Sequence, residues 1–414
     1  MKNFIERKLV KNVSGGLEDI EAVFINGPRQ SGKSAFAENF GNNYQSVYYI
    51  TYDDVSVRYS EINSPGQTFA SIEEGLIILD EIQYVPNSFL SIKNKIDDIR
   101  RKKQKVKFLL TGSADIMLLP KLTNALVGRM YCQTMLPFSA AEILNAAGTF
   151  IDKMFKGGVD ITKRYSKVDI AKIISKATFP KLSLEIKNKA QWCGNYISAL
   201  IERDIRALSD IDKIEILTQL LFILANRVGN LINDADIAIA VKLSQPTVKR
   251  HRALLNGVFL TFLLNPWFKK LEKRFIKTPK IYFHDAMLLC RILGFAPDEI
   301  EKQRPEIFGF ILENFVATEL NKQLALMNEA KLYFFRTSDQ KEIDFLVEKQ
   351  NGDLIAIEVK AANTVFPIDF KHIKFLQESL PENFIKGIVL YRGDKALKFG
   401  DNLYALPISA LWEL

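Results

Sequence analysis

Gly27-Pro28-Arg29-Gln30-Ser31-Gly32-Lys33-Ser34 follows a short apolar run, Ala22 to Asn26, and leads into a helix-forming stretch, Ser34 to Phe40. No other feature restricts the fold so tightly. The spacing is G-x-x-x-x-G-K-[ST], and a strand before it with a helix after it is the setting in which such a loop cradles phosphate. Gly27 and Gly32 permit backbone angles that let successive N–H groups converge on an anion. The helix adds its positive N-terminal end. Lys33 reaches the β and γ phosphates, and Ser34 offers a hydroxyl to Mg²⁺. The expected cofactors are therefore ATP and Mg²⁺, held by Gly27, Pro28, Arg29, Gln30, Ser31, Gly32, Lys33 and Ser34.

Further apolar runs at Val47 to Tyr52, Leu76 to Leu79 and Val106 to Thr111 alternate with helical stretches. Short, fully apolar runs of this kind predict a buried parallel sheet with helices on both faces. Leu76-Ile77-Ile78-Leu79 ends in Asp80-Glu81, at the strand end where ligands bind in such sheets. Asp80 is expected to hold Mg²⁺ directly or through water, and Glu81 to orient or deprotonate an attacking water. The competing reading is an ordinary strand followed by a cap. Phe108 to Ser113 predicts a neighbouring strand whose Thr111 or Ser113 senses the γ-phosphate, although hydroxyls are also common in plain turns. Arg129 is a candidate for stabilising transition-state charge, in cis or from a neighbouring subunit, which makes a second copy of the chain a possible partner. A solvated surface arginine is the alternative.

The phosphate loop, Leu76 to Glu81, Leu109 to Asp115, Leu126 to Arg129, then Leu136-Pro137-Phe138-Ser139 with Glu142, resemble the N-terminal domain of a prokaryotic family of predicted AAA+-superfamily ATPases. In that family the ATPase precedes a C-terminal domain of unknown function related to PD-(D/E)XK nucleases. The resemblance implies an AAA+-like P-loop domain, ATP as ligand and a nuclease-like C-terminal fold. It is most specific over the first 142 residues and looser in the middle.

Composition adds exclusions. With 48% apolar and 25% charged residues, 14 Pro and 21 Gly, the chain is neither low-complexity nor mainly disordered. At 414 residues it is expected to form several domains. Three scattered cysteines, Cys132, Cys193 and Cys290, fit neither a disulfide framework nor a zinc site. The start, Met1 to Asn12, carries charges throughout and reads as no secretory signal, and no run approaches the roughly 20 apolar residues of a membrane helix. A cytoplasmic location without membrane contact is the expectation. A net charge of +8 is compatible with an anionic partner such as nucleic acid without establishing one.

Gly157-Gly158 marks a break, after which Trp192, Tyr196 and Leu200 recur at helical spacing. Asp234 to Arg250 reads as two short helices. Ser244 caps the second, and Pro246 lies in its first turn, where a missing N–H costs little. Ile237, Val241 and Val248 face inward, leaving Gln245, Thr247, Lys249 and Arg250 outside. Trp267 to Lys280 reads as a hairpin carrying Lys269, Lys270, Lys273, Arg274, Lys277 and Lys280. Together these predict a winged helix, a module that contacts DNA or serves as a protein-contact spacer. The run Arg100 to Lys105 reads as a solvated helix end.

Near the C-terminus Glu342 to Glu348 alternates as a strand, and Leu354 to Lys360 makes a second across the turn Asn351-Gly352-Asp353. Alternation puts Glu358 and Lys360 on one face, and a suitable register adds Asp344. Glu313, on a helix from Phe308 to Leu324, completes the set. Asp344 with Glu358-Val359-Lys360 resembles the PD-(D/E)XK signature, in which the carboxylates bind Mg²⁺ and the lysine positions water. The plain alternative is a hairpin with surface salt bridges.

The expected organisation is a P-loop ATPase domain over 1–150, a helical linker over 151–210, a winged-helix-like domain over 211–285 and a restriction-endonuclease-like α/β domain over 286–414. The expected function is Mg²⁺-dependent ATP hydrolysis, with a C-terminal half that binds or cleaves nucleic acid. The alternative is a nucleotide-dependent switch acting on protein partners, with a non-catalytic C-terminal domain.

Overall fold

The computed structural model describes residues 4–113, 128–206 and 214–414. Ala114-Asp115, Leu126-Val127 and the expected boundary at 210/211 lie outside these residues. The chain packs into two compact units, Met1–Pro137 with Gly257–Phe259, and Phe138–Asn256 with Leu260–Leu414.

The first unit is built on a parallel sheet of β1 (Ala22–Asn26), β2 (Val47–Thr51), β3 (Glu74–Asp80), β4 (Lys105–Thr111) and β5 (Met130–Thr134), in the order β2-β3-β4-β1-β5. The apolar runs read from the sequence form β1 to β4, while β5, partly exposed, lacks such a run. Alternation within β3 serves both faces. Ile77 and Leu79 join Phe108 and Leu110 of β4 in a core with Phe89, Ile92 and Ile96 of the helix Ser88–Lys102. Ile78 points the other way, against Gly41 of the helix Lys33–Gly41. Because every pairing is parallel, Asn26, Thr51, Asp80 and Thr111 finish along one edge of the sheet. The helix Ser88–Lys102 ends in Arg100, Arg101 and Lys102, favourable cations at its negative end.

The second unit carries helices, a two-stranded sheet and a six-stranded sheet. β6 (Thr261–Leu264) pairs antiparallel with β7 (Lys280–Phe283). The larger sheet comprises β8 (Ala330–Arg336), β9 (Glu342–Lys349), β10 (Leu354–Val359), β11 (Phe384–Tyr391), β12 (Leu397–Gly400) and β13 (Leu403–Pro407). Its order is β12-β13-β11-β10-β9-β8, with β10-β11 and β11-β13 parallel and the other pairs antiparallel. The helix Pro305–Leu324 precedes it and is buried over most of its circumference.

The helices Asp234–Val241 and Gln245–Gly257 are joined by a turn in which Lys242 adopts φ 54°. Ser244 Oγ accepts the Thr247 N–H at 3.3 Å, and Ile237, Val241 and Val248 are buried. An Arg252–Asp234 ion pair of 2.8 Å ties one helix to the other. The hairpin expected over Trp267 to Lys280 is corrected. The paired strands are β6 and β7, and Leu271–Ile276 between them is helical. Leu, Glu, Lys and Arg favour a helix over a strand there. Arg274 is buried, bonded twice to Glu348 and lying over the Trp267 and Tyr333 rings, so it does not face solvent as expected.

Candidate functional site

The phosphate loop leaves β1 at Gly27, whose φ is 145°. A Cβ there would fall 2.2 Å from the Met135 carbonyl oxygen, so glycine is required for space as well as conformation. Gly32, at φ 93°, turns the chain into the helix Lys33–Gly41. Lys33 is buried, and its Nζ donates to the carbonyls of Gly27 at 3.0 Å and Pro28 at 2.9 Å. The ammonium is thus held in the loop by neutral dipoles. Arg7, from the N-terminal segment, donates to the Ser31 carbonyl at 2.9 Å and also to that of Leu136. The Ser31 hydroxyl is buried without a hydrogen-bond partner among the described residues. Pro28 is buried, Arg29 half-buried and Gln30 exposed with φ 62°.

Asp80 ends β3 on the same edge and is buried. Its Oδ1 accepts from Ser34 Oγ at 3.0 Å and from Thr111 Oγ1. Its Oδ2 accepts from the Tyr49 hydroxyl at 2.9 Å and Thr51 Oγ1 at 3.5 Å. Every side-chain donor on it among the described residues is an uncharged hydroxyl. These orient the carboxylate and leave its charge in place, an arrangement suited to a cation arriving from outside. Burial and the Asp80 charge hold the Tyr49 phenol far above its usual range. Tyr49 and Thr51 were not evident in the sequence; only the β2–β3 register, Thr51 beside Asp80, brings them here.

Glu81 follows with φ 57°, and its N–H donates to Thr111 Oγ1 at 3.2 Å. Its carboxylate accepts from Gln83 Nε2, which also donates to Ser113 Oγ at 2.9 Å. The structure therefore brings Lys33, Ser34, Asp80, Glu81, Thr111 and Ser113 to one edge. Arg129 is not among them. It precedes β5 at the opposite end, where Met130 pairs with Ala22, and its Nε binds Asp97 at 2.8 Å. An in-cis role for Arg129 at the phosphates is corrected by this register.

In the second unit, extending the β9–β10 register one residue beyond the Ile357–Phe345 pair sets Glu358 opposite Asp344. Asp344 Oδ2 accepts the Val359 N–H at 2.8 Å, and Lys360 Nζ binds Glu358 at 3.0 Å. Glu313 accepts from the Tyr282 hydroxyl at 2.5 Å. Burial, and then the Asp344 charge, push Glu313 up to about 7 and Glu358 up to about 8, while burial also raises Asp344.

Among the described residues, however, no group of three or more His, Cys, Asp or Glu side chains is arranged to hold a metal ion. The expected ligand trio of Glu313, Asp344 and Glu358 is corrected in this respect, and the physical reason is Lys280. This lysine, expected on a solvent-facing wing, is buried, 2.6 Å from Glu342 and 3.4 Å from Glu313. Burial works against its charge, yet Glu313, Asp344 and Glu342 together hold it protonated, above its ordinary range. Lys280 directly precedes the apolar Ile281-Tyr282-Phe283, the one sequence signal that it starts a buried strand.

Residues 19–144 match the family model described as an AAA domain. Residues 169–299 and 308–411 match two models described as domains of unknown function, DUF8612 and DUF4143. The chain is similar to an uncharacterized protein of Mycobacterium bovis, 26% identical over 387 residues that cover 93% of this chain and 79% of that one. An uncharacterized protein of Haemophilus influenzae is 24% identical over 378 residues, 84% of this chain and 86% of the other. Among solved structures, the Walker-type ATPase of Pyrococcus abyssi aligns with a TM-score of 0.43 at 15% identity, covering 70% of this chain and 97% of that one. The Orc1 protein of Aeropyrum pernix, solved in complex with DNA, aligns at 0.32 and 11%, covering 71% and 93%. No helix among the described residues is long and apolar enough to cross a membrane. The AAA-domain match, with the loop and the Asp80 edge inside it, supports nucleotide binding by an AAA-type P-loop domain.

Proposed function

We propose that the first unit binds ATP with Mg²⁺ and hydrolyses it, and that the second unit couples this to nucleic acid. The observation that carries the ATPase reading is the 3.0 Å pair of Ser34 Oγ and Asp80 Oδ1 beside the inward-held Lys33. Lys33 exchanges the Gly27 and Pro28 carbonyls for phosphate oxygens, and the N-terminus of the helix Lys33–Gly41 adds backbone donors. Ser34 and Asp80 are the residues that would hold Mg²⁺. When bound, that ion supplies charge neutralisation on the β and γ phosphates. Glu81 accepts a proton from the attacking water, and Thr111 and Ser113 hold the adjoining strand end. A contribution from Arg129 then requires a second copy of the chain.

On this reading the ATPase occupies 1–150, with the helical linker, winged-helix-like and nuclease-like parts following at 151–210, 211–285 and 286–414. Exposed Gln245, Lys249 and Arg250 on the second helix, with Lys269, Lys270, Lys273 and Lys277, form the surface assigned to DNA. Lys33→Ala should lower ATP affinity or turnover by at least about tenfold, and Glu81→Gln should keep binding while slowing hydrolysis. Unchanged ATPase in both variants would refute the assignment. Stimulation of the wild type by DNA supports the coupling.

One observation favours a second reading of the C-terminal half. The Asp344, Glu358 and Lys360 pattern fits a PD-(D/E)XK-like scaffold, but Lys280 supplies the positive charge among its acids. That suits a non-cleaving domain within a nucleotide-dependent switch. DNA left intact in Mg²⁺ and Mn²⁺ supports it; cleavage lost in Lys360→Ala refutes it.

A further inference from the structure

Gln83 lies in the tight turn Ile82–Tyr84, directly after the two acids. Its side-chain amide makes contacts at both ends. Nε2 donates to Glu81 Oε2 and to Ser113 Oγ at 2.9 Å, and Oε1 accepts the Ser113 N–H at 3.4 Å. Gly112 packs closely beside this bridge: a Cβ there would sit 3.0 Å from Gln83 Oε1 and 2.9 Å from the Phe24 ring, so a side chain at this position would press on both. The Glu81 backbone is already fixed, because its left-handed conformation points the N–H at Thr111. What remains free without Gln83 is rotation of the Glu81 side chain.

We propose that Gln83 is a positioning residue for hydrolysis, locking the Glu81 carboxylate to the end of β4 through Ser113. This rests on the ATPase reading above. A general base must lie within hydrogen-bond reach of the water it deprotonates, and a carboxylate on two rotatable carbons finds that geometry only part of the time. An amide suits the task better than a cation. It fixes one carboxylate oxygen without neutralising the base, and leaves the other for water. Its second partner, Ser113, ties the base to the strand end assigned to the γ-phosphate.

The test uses the full chain and Gln83→Met, which keeps the side chain's length and removes its amide. Gln83→Asn, one methylene short, is the second variant should the first fail to fold. With saturating ATP and Mg²⁺, kcat should fall about 10- to 100-fold while KM, and the affinity for a non-hydrolysable ATP analogue, stay within about twofold. In a Glu81→Gln background the same change should cause no further loss, because Gln83 acts through that carboxylate. Without nucleotide, the Ser113 amide should exchange its hydrogen faster in both variants. Lys33-dependent hydrolysis that is indifferent to Gln83→Met overturns this inference and leaves the ATPase reading standing. A wild type showing no Lys33-dependent hydrolysis overturns both. A loss that persists undiminished in the Glu81→Gln background also overturns it, since Gln83 would then act by another route.

Discussion

The Asp80 edge and the Asp344 cluster each place carboxylates in a buried setting, yet they manage charge in opposite ways. Asp80 is surrounded by the hydroxyls of Ser34, Thr111, Tyr49 and Thr51, and the nearby ammonium of Lys33 is occupied with carbonyls. Neutral dipoles orient the Asp80 carboxylate on one side of the loop and hold the Lys33 ammonium on the other. In the Asp344 cluster, Lys280 and Lys360 already sit against Glu313, Glu342 and Glu358. Buried carboxylates are tolerated there because compensation comes from within the chain. Residue types alone do not separate a binding site from a self-neutralised hub; the charge on the nearest donors does.

Lys280→Met tests that contrast most severely. Removing one member of a buried ion pair leaves its partners uncompensated, at a cost of about 3–5 kcal/mol. Urea unfolding should show this loss at pH 7.5. It should shrink at pH 5, where Glu313, pushed up to about 7, takes a proton instead. Full stability at pH 7.5 would mean that Lys280 does not hold the cluster. The corresponding change at the other site, Asp80→Asn, should barely alter stability, because hydroxyls can also serve an amide. It should lower kcat/KM for ATP by about 100-fold, through lost cation binding. A large stability loss with normal ATPase would reverse the roles of the two regions.

The phosphate loop was legible because its chemistry is carried by eight consecutive residues, Gly27 to Ser34, whose local backbone makes the site. Asp80 and Glu81 were legible for a similar reason, at the end of one apolar run. Tyr49 and Thr51 were not, because only strand register brings them to Asp80. Lys280 was misjudged because its partners lie 33 and 62 residues further along the chain. A lysine among lysines reads as solvated until folding shows which one is enclosed. The same applies to Arg274, enclosed by Glu348, Trp267 and Tyr333. β5 was not legible because Gln133 and Thr134 end the apolar run Met130-Tyr131-Cys132 after three residues.

The raised carboxyls give the Asp344 cluster a pH signature. Glu358 has an ordinary value near 4.5 unfolded and is pushed up to about 8 in the fold. Below pH 4.5 both states are protonated and its contribution to stability is fully present. As pH rises through 8 the fold binds more protons than the unfolded chain until it too ionises, so that contribution is lost. Glu358→Gln cannot ionise and should flatten the fall in stability between pH 5 and pH 8. The difference should be on the order of 1–3 kcal/mol at pH 8 and close to zero at pH 5. A parallel decline in wild type and variant would show that Glu358 ionises as freely in the fold as outside it.

The smallest effect belongs to the basic segment, and it separates lysines that face solvent from those drawn into the hub. Lys269, Lys270 and Lys273 are exposed, whereas Arg274 and Lys280 are enclosed by carboxylates. If the exposed three meet DNA phosphates, replacing them with Ala should weaken binding of every duplex alike. The slope of log K against log salt should flatten by about 0.9 for each phosphate that is no longer neutralised. Each neutralised phosphate releases condensed counterions, so the slope reports their number without requiring the DNA sequence to be known. Arg274 should be left intact in this experiment, since Arg274→Ala would strip Glu348 of its partner and confound affinity with folding. An unchanged salt slope in the triple variant, with the fold intact, would remove these lysines from any nucleic-acid surface. The protein-contact reading of the helix pair would then be favoured, with the neutralised acid cluster as its scaffold.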